Sequence, residues 1–368
     1  MSKFDVVIVG GGIAGASLGA RIAARARVAI IEAEPSGAVH ATGRSAAFWL
    51  AHYGGSAIVP LTVASRAALE AGWPSGGRSW LSPRGAVTIA RNSIDLRDAP
   101  SAETVQAPRR TQVGRAQLEA LVPGLLPGWD FGLVDETCAD IDVAALHHGC
   151  LAAFARLGGT LLTSTPLVSA RRDGAGWHIH AGDSTLTAAT IVDAAGAWAD
   201  DVAGRCGVAG LGIRPFRRTI AQVRVGHSGL RALPLVLDAL GTFYFKGEGD
   251  NRLWVSPHDE GESIACDTAP EELDVADALE RLQSVVPWPI EAVERTWAGL
   301  RSFTPWRTPA IGFDSQAPGF FWCAGQGGFG IQTAPAVSAI AAGLLLGEEP
   351  DSSVSHIDAT AFAPRCAA

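Results

Sequence analysis

The feature that most restricts the fold of this chain is a run of glycines, Gly10-x-Gly12-x-x-Gly15, set between an apolar run and a stretch of small residues. Asp5-Val-Val-Ile-Val9 is continuously apolar after its first residue, the pattern of a parallel strand buried on both faces. Ile13 to Ala24 reads as a helix whose Ala14, Gly15, Ala16 and Gly19 let it lie close on a sheet, and Val28 to Ile31 as a second strand ending at Glu32. Each glycine then has a task. Gly10 makes the tight turn, Gly12 lets backbone N–H groups approach a pyrophosphate with no Cβ in the way, and Gly15 permits close helix–sheet contact. Glu32, ~20 residues on, is placed to accept hydrogen bonds from ribose hydroxyls. The expectation is a dinucleotide-binding unit complete by Glu34; the motif alone leaves NAD and FAD open.

Two later stretches extend that unit. Thr190-Ile-Val-Asp193 reads as a buried strand running into the small-residue turn Ala194 to Trp198, after a hairpin-like Trp177 to Leu186. Phe320 to Ala324 reads as another, followed by the glycine-rich Gly325 to Gly330 and a helix from about Thr333. Between them, Gly85 to Ala90, Ile220 to Val225, Thr242 to Lys246 and Leu253 to Ser256 are short β-rich segments that predict a mostly antiparallel sheet. Glu271 to Val285, with Leu273, Ala276, Leu279, Leu282 and Val286 at helical spacing, is expected to cover one of its faces. The fold class is therefore α/β: a discontinuous Rossmann-like domain over 1–83, 143–215 and 298–368, with a second α+β domain over 84–142 and 216–297.

Composition narrows the function. The chain is 48% apolar with a mean hydropathy of +0.19, yet its longest apolar candidate, Ala334 to Leu346, falls short of the roughly 20 residues a membrane span needs and reads as a buried helix. A net charge of −8 without a basic stripe argues against nucleic acid. Six cysteines, Cys138, Cys150, Cys206, Cys266, Cys323 and Cys366, are scattered with no CxxC pair, so they read as reduced, mostly buried thiols with no metal site. A strand pattern already running at Phe4 leaves no room for a secretory leader, which predicts a cytoplasmic location, free or peripheral to the inner face of the membrane.

The polar, glycine-containing His40-Ala-Thr-Gly-Arg-Ser45 follows the ribose acid closely and tilts the choice toward FAD. With Val6 to Ala16, His40 to Ala47, Val192 to Trp198, Thr296 to Phe303 and Gly325 to Thr333, in that order along the chain, the sequence resembles the D-amino acid oxidase superfamily, and within it the bacterial D-arginine dehydrogenase branch. The resemblance implies a glutathione-reductase-type FAD domain. It implies cofactor contacts from Gly10, Gly12, Ile13, Ala14, Gly15, Glu32, Ala33, Thr42, Gly43, Arg44, Ser45, Val168, Ala195, Gly196, Trp198, Gly327, Gly328, Gly330, Ile331, Gln332 and Thr333. It also implies that Arg301 pairs with a substrate carboxylate and contacts the flavin, that Tyr244 adds a phenol hydrogen bond, that Tyr53 rides on a mobile loop, and that Gln332, Gly328 and Ile331 lie near the reacting carbon or amine. The absence of a cysteine at Gly299 to Phe303, where covalently flavinylated relatives carry one, predicts noncovalent FAD.

Physical reasoning supports several of these roles. A guanidinium matches a planar carboxylate and stays charged. Period-two alternation sends Tyr244 to one face of its strand and Phe243 and Phe245 to the other. The helix start after Gly325 to Gly330 offers free N–H groups where negative charge grows on flavin reduction.

The resemblance breaks at the far end of the pocket. Leu81-Ser-Pro-Arg84 is followed by Gly85, Ala86 and Val87 where the branch carries an acid for the substrate guanidinium, Phe48 and Leu50 replace a histidine and a threonine, and Leu235 replaces a methionine. An unpaired cation in such a site is costly. The expected activity is oxidative deamination of D-amino acids with apolar or aromatic side chains, giving 2-oxo acids and ammonia, with a quinone, an electron-transfer protein or oxygen as acceptor. Alternatives are a glycine or sarcosine oxidase that forms hydrogen peroxide, with Lys246 on the Tyr244 face as a candidate oxygen-activating group, a 2-hydroxy acid dehydrogenase, and a noncatalytic FAD-binding protein. His52 is a candidate proton acceptor that reads more simply as a solvated bystander.

Overall fold

The apolar run near the start of the chain becomes the middle of a sheet. In the computed structural model, which describes residues 2–98, 108–174 and 176–365, strand Ser2–Val9 pairs in parallel with Val28–Ile31 on one side and Ser184–Asp193 on the other. Val6 and Ile8 pack into one core with Leu18, Phe154, Val337 and Ile340, whereas Val7 and Val9 pack into another with Trp177, Val202 and Trp322. Both faces are covered by helices or by further chain, so no polar alternation appears in the strand. Thr160–Leu162 and Phe320–Ala324 add parallel strands, and a hairpin, Leu167–Asp173 with Gly176–Ala181, joins the antiparallel side through Ser184–Asp193.

The second sheet has nine strands, in the order Gln326–Gly327, Ile290–Phe303, Arg214–Val225, Arg252–Ser256, Tyr244–Gly247, Leu235–Asp238, Ala86–Ala90, Phe131–Asp135 and Thr111–Gly114. It is antiparallel except for the Leu235–Asp238 pairing with Ala86–Ala90. Its outer face carries Phe243, Phe245, Val223 and Val255 against helix Glu272–Gln283. The anticipated helix is present, but its buried face is rotated. Ala278 and Leu282 are the buried residues, with Val275 and Leu279 packed beside them, while Leu273 is 70% exposed. The rotation carries Asp274 toward the sheet, where it accepts from Arg217 Nε at 3.1 Å.

Strands Arg214–Val225 and Ile290–Phe303 pair along their length in the second sheet, from Arg214 opposite Phe303 onward, with register shifts between Gln222 and Val223 and between Arg224 and Val225. We keep the division at 83/84, 142/143, 215/216 and 297/298 as a proposed domain organisation whose last two joints lie inside these continuous strands. The final helix, Gly330–Leu346, starts three residues earlier than the sequence pattern suggests and is buried over most of its length. No helix among the described residues is long and apolar enough to cross a membrane. Four described cysteines are buried and Cys266 is half-buried; Cys366 lies outside the described residues.

Candidate dinucleotide and substrate site

A cavity of about 480 Å³ opens where the parallel strands end. Gly10, Gly12, Ile13 and Ala14 line its floor, Glu32 and Ala33 one wall, Thr42, Arg44 and Ser45 another, and Ala195, Gly196 and Trp198 a third. The glycines are required by what surrounds them. Gly10 has φ +108°, and a Cβ there would lie 2.5 Å from the Ala194 carbonyl oxygen; at Gly15 it would lie 2.0 Å from the Gly10 oxygen. Glu32 accepts from Gly11 N at 2.7 Å and from Glu34 N at 2.9 Å, which fixes the carboxylate at the strand tip with lone pairs to spare. His147 Nε2 lies 2.7 Å from the Gly11 oxygen and donates to it, holding the turn from beneath. Burial keeps this imidazole below its usual range, hence neutral.

The loop from His40 is anchored rather than solvated. Arg44 Nη1 donates to the Thr268 and Ala298 carbonyls at 2.8 and 3.2 Å, and Thr42 Oγ1 accepts from Ile13 N at 3.0 Å. Four residues expected at the cofactor do not line the cavity. Gly15 and Gly43 are not on its walls; at Gly43 a Cβ would lie 2.1 Å from the Ala38 oxygen, so the glycine serves the turn. The Thr333 hydroxyl donates to the Phe329 carbonyl at 2.9 Å. Val168 is 52% exposed, at a register shift between Leu167 and Ser169, and Thr165, Pro166 and Leu167 line the wall instead. A long, glycine-floored cavity with a fixed acid at one end fits an extended dinucleotide such as FAD.

At its far end the cavity meets the second sheet, which supplies two arginines, Arg218 and Arg301. Arg301, Tyr244 and Tyr53 line it with Gly327, Gly328, Gly330, Ile331 and Gln332. Gly328 allows Arg301 to lie flat, since a Cβ would be 2.8 Å from Arg301 Cδ. Arg301 Nη2 donates to the Asp259 carbonyl at 3.3 Å and lies 3.4 Å from Glu260, while its buried Nε has no partner. Burial and the neighbouring Arg218 lower Arg301 to about 10, still charged at neutral pH. Burial pushes Tyr244 up to about 12, so its phenol keeps its proton.

Arg218 is the residue that sequence reasoning missed. It is 8% exposed and lines the same end of the cavity. The register explains the meeting: Phe216 stands opposite Arg301 and Arg218 opposite Gly299, so period two puts both arginines on one face, and Gly299 leaves room. An arginine two residues before buried Ile220 was the available signal. His258 was also missed; its Nε2 lies 2.9 Å from the Tyr53 hydroxyl.

Gln332 lines the cavity with its amide fully engaged, accepting from Leu50 N at 3.2 Å and donating to the Tyr53 carbonyl and Thr62 Oγ1 at 3.2 and 3.1 Å. It holds the Tyr53 segment. Two candidates point elsewhere. Lys246 is 3% exposed, lies 2.9 Å from Asp140 and 3.0 Å from Glu248, and does not line the cavity. His52 Nε2 donates to the Pro108 carbonyl at 2.8 Å and does not line the cavity either. At this end Ala46, Phe48, Ile220 and Tyr244 line the cavity and pack in one buried cluster with Leu50, Ala86 and Leu235, which do not line it. Among the described residues no group of three or more His, Cys, Asp or Glu could hold a metal ion.

A family model described as FAD dependent oxidoreductase, DAO, matches residues 5–344. A glycine oxidase of Geobacillus kaustophilus is 26% identical over 366 residues, covering 93% of each chain. The crystal structure of glycine oxidase from that organism superimposes with a TM-score of 0.83 at 23% identity over 100% of both chains. A dithionite-reduced L-α-glycerophosphate oxidase of Mycoplasma pneumoniae with FAD bound gives 0.84 at 16% identity, covering 94% of this chain and 95% of its own.

Proposed function

The chain belongs to the DAO family of FAD dependent oxidoreductases, and from that premise we propose that it oxidises the Cα–N bond of small amino acids, with D-amino acids of apolar or aromatic side chain preferred. The observation that carries this reading is the pair of guanidiniums at the end of the dinucleotide cavity, Arg218 buried and Arg301 half-buried with a buried, unpartnered Nε. A buried donor without an acceptor costs roughly 1–3 kcal/mol, and a ligand carboxylate removes that cost.

The glycine floor, Glu32 and the walls named above would hold FAD noncovalently, and when bound it would supply the two-electron acceptor for the hydride leaving the α-carbon. The chain's own residues do the positioning. Arg301 and Arg218 hold the carboxylate, Tyr244 donates its phenol proton to it, and Gly328 and Ile331 shape the wall beside the α-carbon. Fixing two reactants in near-attack geometry removes much of the entropic barrier, so no strong base is needed once the amine is neutral. The resulting imino acid hydrolyses to a 2-oxo acid and ammonia.

The side-chain end supports an apolar preference. Phe48 and Ile220 on the cavity wall, backed by Leu50, Ala86 and Leu235, offer neither charge nor hydrogen bond to a cationic side chain. The D configuration rests on the resemblance of the motifs around Arg301 and Gly328. A second reading, oxidation of glycine or sarcosine with peroxide formation, is favoured by the likeness to glycine oxidase over nearly the whole chain.

One experiment separates them. The purified protein is mixed without oxygen with D-Leu, D-Met, D-Phe, D-Arg, glycine and sarcosine while flavin bleaching is followed. The proposal expects the apolar D-amino acids to reduce it fastest. Faster reduction by D-Arg would end the apolar preference, faster reduction by glycine or sarcosine with peroxide in air would favour the second reading, and no bleaching by any amino acid would end both.

A further inference from the structure

Tyr53 has one hydroxyl proton, and its surroundings decide where that proton points. His258 Nδ1 lies 2.5 Å from the Gly241 carbonyl oxygen, which can only accept, so Nδ1 carries hydrogen. Nε2 then offers a lone pair to the Tyr53 hydroxyl at 2.9 Å. Across the same oxygen, Arg218 Nη1 donates to Tyr53 at 3.4 Å. Burial first, then the positive charges of Arg218, Arg301 and Arg281, hold His258 down at about 3, so the imidazole stays neutral and this direction persists. Neither neighbouring acid reverses it: Asp259 turns its carboxylate to Thr219, accepting at 2.7 Å from the backbone and 3.1 Å from the hydroxyl, and Glu260 turns to Arg307 and Arg301.

With its proton committed, the hydroxyl of Tyr53, a residue that lines the cavity, has an oxygen left to act as an acceptor. Carboxylate oxygens are acceptors too and gain nothing from it; an amine N–H does. We propose that His258 is a positioning residue that makes Tyr53 a hydrogen-bond acceptor for the substrate's amino group, leaving the carboxylate to Arg301, Arg218 and Tyr244. The segment around His258 is built to hold that direction. His258 itself has φ +55°, in the left-handed region, and the next carbonyl, that of Asp259, accepts from Arg218 Nε at 3.0 Å and Arg301 Nη2 at 3.3 Å. One short stretch thereby orients both guanidiniums and the phenol. The two phenols of the chain acquire opposite tasks, Tyr244 donating and Tyr53 accepting.

This inference rests on the amino-acid reading above, and its test uses holoenzyme with two ligands that differ only in the amine: D-leucine, read by half-saturation of anaerobic flavin reduction, and 4-methylpentanoate, read by perturbation of the oxidised flavin spectrum. His258→Leu and Tyr53→Phe are each expected to weaken D-leucine about tenfold, the worth of one hydrogen bond, and to leave 4-methylpentanoate little changed. The double variant is expected to be no worse than either single one, and His258→Gln, whose amide oxygen can accept, to recover most of the loss. Equal weakening of both ligands, or penalties that multiply in the double variant, overturns the role of His258 while leaving the carboxylate site standing. Failure of 4-methylpentanoate to perturb the wild-type flavin overturns the carboxylate site and this inference together.

Discussion

Two guanidiniums at one end of the cavity repel each other, and the protein offsets this with the Asp259 carbonyl, which accepts from both, and with the carboxylates of Asp259 and Glu260 at 3.8 Å from Arg218 and 3.4 Å from Arg301. Their geometry therefore serves a ligand more than the fold. Replacing Arg301 by Leu removes a buried charge and an orphaned donor, so thermal unfolding is expected at an unchanged or higher temperature. The same change is expected to lower kcat/KM by roughly 10²- to 10³-fold, as truncating a buried charge pair with a bound carboxylate costs about 2–4 kcal/mol. A fall in both quantities would mean that Arg301 is chiefly structural. His258 carries a second consequence. Its folded pKa of about 3 lies below the ordinary histidine value, so the unfolded chain binds the extra proton first as pH falls. The stability it permits is present above about pH 6.5 and is lost progressively toward pH 3. Wild type is thus expected to lose ground to His258→Gln in melting temperature as pH drops through that window, and a constant difference between them would contradict it.

At the scale of elements, the first strand, turn and helix behave as a unit whose tolerances are set by glycine. The Cβ of Gly15→Ala would sit 2.0 Å from the Gly10 oxygen, so the helix must lift from the sheet, an overpacking cost of about 1–3 kcal/mol. This variant is expected to purify with little or no visible flavin absorbance while keeping its far-ultraviolet helical signal. Full flavin content would show that the close approach is dispensable. These elements were legible because the pattern itself carries the physics: Val6 to Val9 are apolar at every position because both faces are covered. Helix Glu272–Gln283 was legible as a helix but not in rotation. Its spacing allowed two faces, and the ion pair of Asp274 with Arg217 selected the one that leaves Leu273 in solvent.

Across the whole molecule, the cavity is walled by both large sheets, so a dinucleotide filling it would touch residues from the first turn, the loop at Thr42, the strand of Arg301 and the last helix. A ligand that binds only the folded state stabilises it by about 2.7 kcal/mol at a hundredfold excess over Kd. Apoprotein is accordingly expected to melt several degrees below the FAD-loaded form, with susceptibility to limited proteolysis falling at both sheets on FAD addition. Identical melting curves with and without FAD would place the cofactor elsewhere.

The sequence by itself determined the nucleotide unit, the apolar end of the pocket and the opposed faces of Tyr244 and its two phenylalanine neighbours, because each follows from local period and from residue size. Only the tertiary structure decided that Arg218 joins Arg301, that His258 orients Tyr53, and that Lys246 is tied to Asp140 and Glu248 instead of facing the cavity. Those pairings join segments tens of residues apart through strand register and loop course, and no spacing along the chain encodes which side chains a register will bring face to face.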